Sequence, residues 1–261
     1  EIGSGLVGSE MCIRDRPIGD SNCVGCGQCA AVCPTGAIII KNDSHRLWKE
    51  LNQEDTIAVA QVAPAVRVAV AKEFGYNGEN VMGKIVAALR RIGFNYIFDT
   101  STAADLTVME ESKEFADRLV NGGKLPLFTS CCPAWIKYAE NEYPEILPNI
   151  STCRSPMQMF ASVINEKFKG EGKKILSVAV MPCTAKKGEA ARDEFKDENG
   201  KPLVDFVITT QELIMMIKEA GIVFNEIEPE AVDMPFGTMT GAGVIFGVTG
   251  GVTEAVIRRV S

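Results

Sequence analysis

Histidine is nearly absent: among 261 residues there is one, His45. A single imidazole argues against a Ser-His-Asp triad, a His-rich zinc site or a haem pocket, and in its polar surroundings His45 reads as a solvated surface residue. Chemistry is left to sulfur, carboxylate and lysine. No stretch approaches the ~20 consecutive apolar residues that span a bilayer, and no signal-peptide pattern opens the chain, so it reads as soluble and cytoplasmic with no membrane partner. Blocks of basic charge are missing too. The formal net charge is -7 with Lys and Arg scattered, which gives no footprint for nucleic acid or anionic lipid and leaves small acidic electron carriers as candidate partners. There is no internal repeat of fixed period and no low-complexity tract.

Cysteine, by contrast, is plentiful. Nine thiols in a reducing compartment point to metal binding or redox chemistry over disulfides. Four cluster at Cys23, Cys26, Cys29 and Cys33, Cys131 and Cys132 are adjacent, and Cys12, Cys153 and Cys183 stand alone. Residues 1–16 show no periodicity, and their tract GSEMCIRDR resembles adapter-derived sequence; they are set aside as a non-native leader, the alternative being a flexible natural one. Residues 17–43 are short, turn-rich and cysteine-dense, and 44–55 read as a polar connector with a helical turn around Leu47 to Leu51.

From residue 56 onward, apolar runs alternate with amphipathic ones. Ile57–Val62, Tyr96–Phe98, Leu125–Phe128, Ile175–Val180 and Phe206–Ile208 read as strands; Gly83–Arg91, Asp105–Asn121, Trp135–Asn141, Pro156–Phe168 and Gln211–Ala220 read as helices. The alternation predicts an α/β fold, a parallel or mixed sheet flanked by helices. Ligands of such sheets bind beyond the carboxyl ends of the strands, where Ala63-Pro64, Cys131-Cys132 and Cys183 fall.

Cys23-x2-Cys26-x2-Cys29-x3-Cys33-Pro34 has the bacterial ferredoxin spacing, in which thiolates on a tight loop hold a 4Fe-4S cluster. Structural zinc fits it poorly, because zinc pairs are separated by a longer insert. Gly25 and Gly27 let the backbone wrap a cluster. The fourth cysteine of such a run serves the other cluster of a two-cluster module, so the region reads as a partial ferredoxin-like module whose partners are expected upstream.

Thr129-Ser130-Cys131-Cys132-Pro133-Ala134-Trp135 places two thiols at a strand-to-helix junction, where a helix amino terminus favours thiolate. A metal ligand, a redox pair and inert packing are all compatible. Met181-Pro182-Cys183-Thr184-Ala185-Lys186-Lys187 puts a thiol at a strand end with cations behind it, suited to an anionic ligand or to a solvated lysine pair. Glu111, Glu114 and Arg118 share one helix face by spacing, which is equally the pattern of surface salt bridges. The glycine-rich tail Gly237 to Gly251 lacks the G-x-G-x-x-G spacing of a dinucleotide loop and reads as helix packing.

Together, the two cysteine tracts resemble the first two signature motifs of FeFe (iron-only) hydrogenases. The similarity extends over residues 17–261 and includes Ala63-Pro64-Ala65-Val66-Arg67, Phe98-Asp99-Thr100, Ala104-Asp105-Leu106-Thr107 and Thr240 to Gly247, in order. The resemblance implies an H-cluster domain over 56–261 whose cofactor is a 4Fe-4S cubane bridged to a two-iron centre with carbon monoxide, cyanide and azadithiolate. It implies Cys132 and Cys183 as cubane ligands, Lys186 as donor to a cyanide, and Met181, Ser155 and Phe246 as pocket wall. It also implies a proton relay through Cys131, Glu111, Ser151 and Glu114, with Arg118 at the outer end; Cys153 matches no ligand and reads as packing. The implied activity is reversible reduction of protons to dihydrogen, with electrons from ferredoxin or NADH-oxidising subunits. The competing class is a non-catalytic iron-sulfur assembly or sensory protein on the same fold. The family's third motif, carrying two further cubane cysteines, is expected after Phe246, and the chain ends at Ser261 first. The sequence is therefore expected to be incomplete at both ends and, as given, inactive.

Overall fold

The computed structural model describes residues 18, 21–237 and 239–261; the expectations for residues 1–16, Cys12 included, lie outside them. Strands β1 (Thr56–Val62), β2 (Tyr96–Asp99), β3 (Lys174–Met181) and β4 (Phe206–Thr209) form one all-parallel sheet in the order β2-β1-β3-β4. The helices are α1 (Gln28–Val32), α2 (Ser44–Leu51), α3 (Pro64–Glu73), α4 (Met82–Ile92), α5 (Ser101–Asn121), α6 (Pro133–Glu142), α7 (Pro156–Lys167), α8 (Ala185–Ala190), α9 (Thr210–Glu219), α10 (Gly241–Ile245) and α11 (Gly251–Val260).

Side chains alternate across a strand, so β1 feeds two cores. Ala58, Ala60 and Val62 enter the larger one with Val66, Ile85, Leu89, Leu213 and Ile217, whereas Val59 joins an aromatic cluster of Phe98, Phe160 and Phe168. A parallel sheet buried on both faces follows. The helix starts are written locally: Pro64 occupies the first turn of α3, Ser155 caps α7, and Thr209 with Glu212 forms a capping box on α9.

Two expectations give way. Leu125–Phe128 is not a strand of the sheet: it contributes a single bridge, Phe128 to Ile150, because Pro126 lacks an N–H and Leu125 faces solvent. Cys131-Cys132 consequently reaches the strand-end rim by another route, the packing of α6 against α8. The span 44–55 is also more than a connector. The helical turn expected around Leu47 to Leu51 is part of the longer α2, whose Leu47 is fully buried in the larger core and whose Trp48 Nε1 donates to Glu219 on α9 at 2.9 Å.

Candidate functional site

The cysteine run occupies a loop leading into α1. Gly25 and Gly27 hold left-handed φ of 72° and 78°, conformations that other residues enter at a cost. Cys23, Cys26 and Cys29 are exposed free thiols and Cys33 is half-buried. The hydroxyl of Thr35 and the backbone amides of Ile38, Thr35 and Ala37 surround the Cys33 sulfur and lower its pKa to about 6, so it is largely thiolate at neutral pH. Among the described residues no three Cys, His, Asp or Glu side chains converge on one metal position. Four accessible thiols, one of them stabilised as thiolate, on a glycine-bent loop are a donor set that fits an iron-sulfur group.

Cys183 follows β3 by two residues, and Cys132 caps α6, with Pro133 in its first turn. Lys186 ties the two tracts together. Its Nζ donates to the Cys131 carbonyl at 2.9 Å and to Glu189 Oε2 at 2.6 Å, which leaves the ammonium one further donor. Glu189 is buried and accepts a short hydrogen bond from Ser155 on its other oxygen. The hydroxyl of Ser155 is thus engaged with Glu189 and with the start of α7. Burial pushes the Cys131 thiol up to about 11 against the pull of Lys186, with Glu111 and Cys132 adding to the rise. Desolvation at Cys131 thus outweighs the attraction of the Lys186 cation, and the thiol is favoured over the thiolate there.

On α5, Glu111 and Glu114 face different environments. Glu111 is 1% exposed, and neither oxygen meets a donor in hydrogen-bonding geometry. Burial raises its pKa to about 7; the Ser151 hydroxyl and the Ser130 N–H are near enough to oppose that, while Glu114 reinforces it. Glu114 is partly buried too, yet it is held below the ordinary carboxyl range: Ser151 Oγ donates to it at 2.7 Å, Arg118 Nη2 at 2.6 Å and Thr152 N–H at 3.0 Å. Two carboxyls one helical turn apart are therefore tuned in opposite directions. Cys153, read as inert packing, directs its Sγ at Glu114 Oε2 at 3.7 Å, and its N–H donates to Ser151 Oγ at 3.1 Å. Arg118 also donates to the carbonyls of Lys124, Pro148 and Ile150, closing the outer end of the row.

Met181 ends β3 and is buried. Phe246 follows α10 and is half-buried; its segment is fastened to α5 by Thr240, whose N–H and hydroxyl donate to Asp105 at 2.7 and 2.6 Å. Gly247 sits against Pro64, where a Cβ would meet the proline at 3.2 Å.

Three groups escaped the reading of the sequence. Glu189 is the buried partner of Lys186, and the Lys-x-x-Glu spacing on α8 was its signal. Lys187 is not a solvated lysine: 13% exposed, it binds Asp43 at 3.0 Å, Glu212 at 3.0 Å and the Val207 carbonyl at 2.7 Å. Thr184 donates to the Gly25 carbonyl at 2.6 Å, a contact across 159 positions with no local signature.

Known proteins share this chain's sequence pattern and fold. Residues 56–261 match the family described as iron only hydrogenase large subunit, C-terminal domain, and residues 17–39 match the 4Fe-4S binding domain. The chain is 46% identical to the NADP-reducing hydrogenase subunit HndD of Solidesulfovibrio fructosivorans over 252 residues, 92% of this chain and 43% of that one. It is 43% identical to the periplasmic [Fe] hydrogenase large subunit of Nitratidesulfovibrio vulgaris, covering 92% of this chain and 66% of the relative. Cytosolic iron-sulfur assembly component 3 of Bos taurus is more distant, at 34% identity over 81% of this chain and 48% of that protein. A solved structure of apo [FeFe]-hydrogenase HydA1 from Chlamydomonas reinhardtii superposes with a TM-score of 0.73 at 39% identity, over 84% of this chain and 58% of that one. The chain thus spans between about two fifths and two thirds of the lengths of these proteins.

Proposed function

The chain belongs to the iron-only hydrogenase large-subunit family, and from that premise we propose that its protein reduces protons reversibly to dihydrogen with electrons delivered through iron-sulfur clusters. The observation that carries the proposal is the row of proton-exchanging groups from Cys131 past Glu111 to Ser151 and Glu114, with Arg118 clamping its outer end beside a surface hollow lined by Glu110, Lys113 and Asp117. A 4Fe-4S cluster and the H-cluster are the cofactors of this family, and the H-cluster supplies the redox chemistry at which protons and electrons combine. Cys23, Cys26, Cys29 and Cys33 would hold the former, and Cys132 and Cys183 would ligate the cubane of the latter. Lys186, steadied by Glu189 and the Cys131 carbonyl, would give its remaining N–H to an anionic ligand, for which a compact ammonium is suited.

Protons need carriers that gain and lose them near neutrality. Cys131 is a protonated thiol, and Glu111, at about 7, exchanges its proton at little cost. Ser151 donates to Glu114 and lies close to Glu111, and because a hydroxyl both donates and accepts it would pass a proton between them once it turns. Glu114, ionised and clamped by Arg118, receives protons from the surface hollow. Met181 and Phe246 would exclude water from the reacting centre. A low-potential carrier of the ferredoxin class, or NADH-oxidising subunits, would supply the electrons. The cytoplasm suits the unpaired state of the eight described cysteines.

A non-catalytic assembly or sensory role would reuse the fold, but it gives no use to a buried, unpartnered carboxyl that lowers stability at neutral pH. The test is Glu114→Gln in the matured holoprotein. Hydrogen evolution should fall about a hundredfold, within the usual span for loss of a general acid or base. Iron content and the infrared bands of carbon monoxide and cyanide should not change. Undiminished turnover would refute the relay.

A further inference from the structure

The loop carrying Cys23 to Cys33 touches the rest of the molecule in few places. Asn22 meets Glu142 and Asn141 at 3.3 Å in each case. The short contact is Thr184 Oγ1 donating to the Gly25 carbonyl at 2.6 Å. Sterics confirm how close the two segments lie: a Cβ on Gly27 would come within 2.9 Å of Thr184 Oγ1, and one on Gly25 within 3.6 Å of the Ala185 backbone. Only glycine, at left-handed φ, lets the loop lie this flat on the turn between β3 and α8. Gly25 precedes Cys26, and Thr184 follows Cys183.

We propose that Thr184 is a positioning residue for electron transfer, its hydroxyl fixing the separation and electronic coupling between the iron-sulfur group held by Cys26 and the one held by Cys183. The bonded path leaves Cys26 through its amide to the Gly25 carbonyl, crosses one hydrogen bond to Thr184 Oγ1 and reaches Cys183 through the adjoining peptide. It is interrupted only at that hydrogen bond. The clusters would supply one-electron chemistry, and the Thr184 hydroxyl would hold the contact across which an electron passes from the Cys26 side to the Cys183 side. A low-potential one-electron carrier of the ferredoxin class replaces that electron, and no covalent bond forms or breaks. The inference rests on the ligand reading given above for Cys26 and Cys183.

The experiment compares Thr184→Val, which keeps the shape and removes the donor, with Thr184→Ser, which keeps the hydroxyl. In the metal-free chain, amides of the 23–33 loop should exchange with deuterium about fivefold faster in the valine variant, the equivalent of one net hydrogen bond of about 1 kcal/mol. In the holoprotein, the valine variant should lose the magnetic interaction between the two reduced clusters in its electron paramagnetic resonance spectrum. Evolution of hydrogen from a one-electron dye should drop several-fold, whereas deuterium-proton exchange, which needs no external electron, should stay within twofold of the parent. Serine should restore all three. Unchanged loop exchange, or unchanged cluster interaction in a valine variant with full iron content, would overturn the proposal, as would a serine variant as impaired as valine. Iron content unaffected by Cys26→Ser would instead overturn the ligand reading, so the two failures are distinguishable.

Discussion

Glu111→Gln should make the protein's stability less dependent on pH. The side chain is 1% exposed, no donor meets either oxygen in hydrogen-bonding geometry, and burial lifts its pKa from the ordinary 4.5 to about 7. A carboxyl with a raised folded-state pKa favours folding in its protonated form. Its effect is neutral below pH ~4.5, where both states hold the proton, and turns against folding as pH rises from there to about 7, because the unfolded chain ionises first. A displacement of roughly two and a half units is worth about 3 kcal/mol at pH 8 and about 1 kcal/mol at pH 5, at 1.36 kcal/mol per unit. Glutamine keeps the shape and cannot ionise. Its own buried amide costs about 1–3 kcal/mol if unpaired, but at every pH alike, so the pH dependence isolates the carboxyl. Urea denaturation of parent and variant at pH 5 and pH 8 is the assay. The parent should lose about 2 kcal/mol more than the variant between the two. Parallel pH profiles would show that Glu111 is solvated or paired, and the neutral-pH proton exchange ascribed to it would lose its basis.

Three further outcomes follow from the same structure. Leu47→Ala should cost about 3 kcal/mol in urea unfolding, as expected for a fully buried leucine; a cost under about 1 kcal/mol would return 44–51 to the status of a linker. Lys186→Met should destabilise by about 3 kcal/mol by stranding Glu189, and the double variant with Glu189→Gln should recover most of that; additive losses would show that the pair is not coupled. Chelating iron from the reconstituted protein should expose residues 23–33 to proteolysis while leaving the thermal transition of the sheet in place, since the core residues come from position 47 onward; a common transition would tie the loop to the core.

The sheet was legible because its strands are short apolar runs between amphipathic segments, and four of five lie where the pattern put them. Leu125–Phe128 has the same local hydrophobicity, and what separates it is Pro126, a signal the apolar pattern outweighed, together with the lack of a strand partner beyond the single Phe128–Ile150 bridge, a tertiary fact. α3 escaped notice for the opposite reason: Ala and Val fill most of it, so it lacks a polar stripe, and only Pro64 marked its start. Within the site, spacing placed Glu111 and Glu114 on one helix but could not show that one would be stripped of partners and the other given Ser151, Arg118 and Thr152. That contrast depends on residues from three separate segments. Lys186 and Lys187, adjacent and chemically identical, show the limit most clearly. One turns to Glu189 and the Cys131 carbonyl, the other to Asp43 and Glu212, and no local pattern distinguishes them.

Those two lysines also explain why so much converges on one turn. Between Cys183 and Lys187 the chain carries the thiol proposed as a cubane ligand, the Thr184 contact to the cysteine loop, the cation that holds the Cys131 carbonyl, and the cation that holds Asp43 at the entry to α2. A strand end in a parallel sheet is a stiff place from which to hang such groups, since β3 pairs with β4 as far as Met181 and with β1 as far as Val180. On the reading proposed, electrons arrive through this turn, whereas protons arrive along α5 and the segment Ser151–Cys153, elements that do not belong to it. The Lys186 bond to the Cys131 carbonyl is where the two meet. On that reading Glu189, buried behind Lys186, supports function by holding that bond in place, as outer contacts do for the groups they orient.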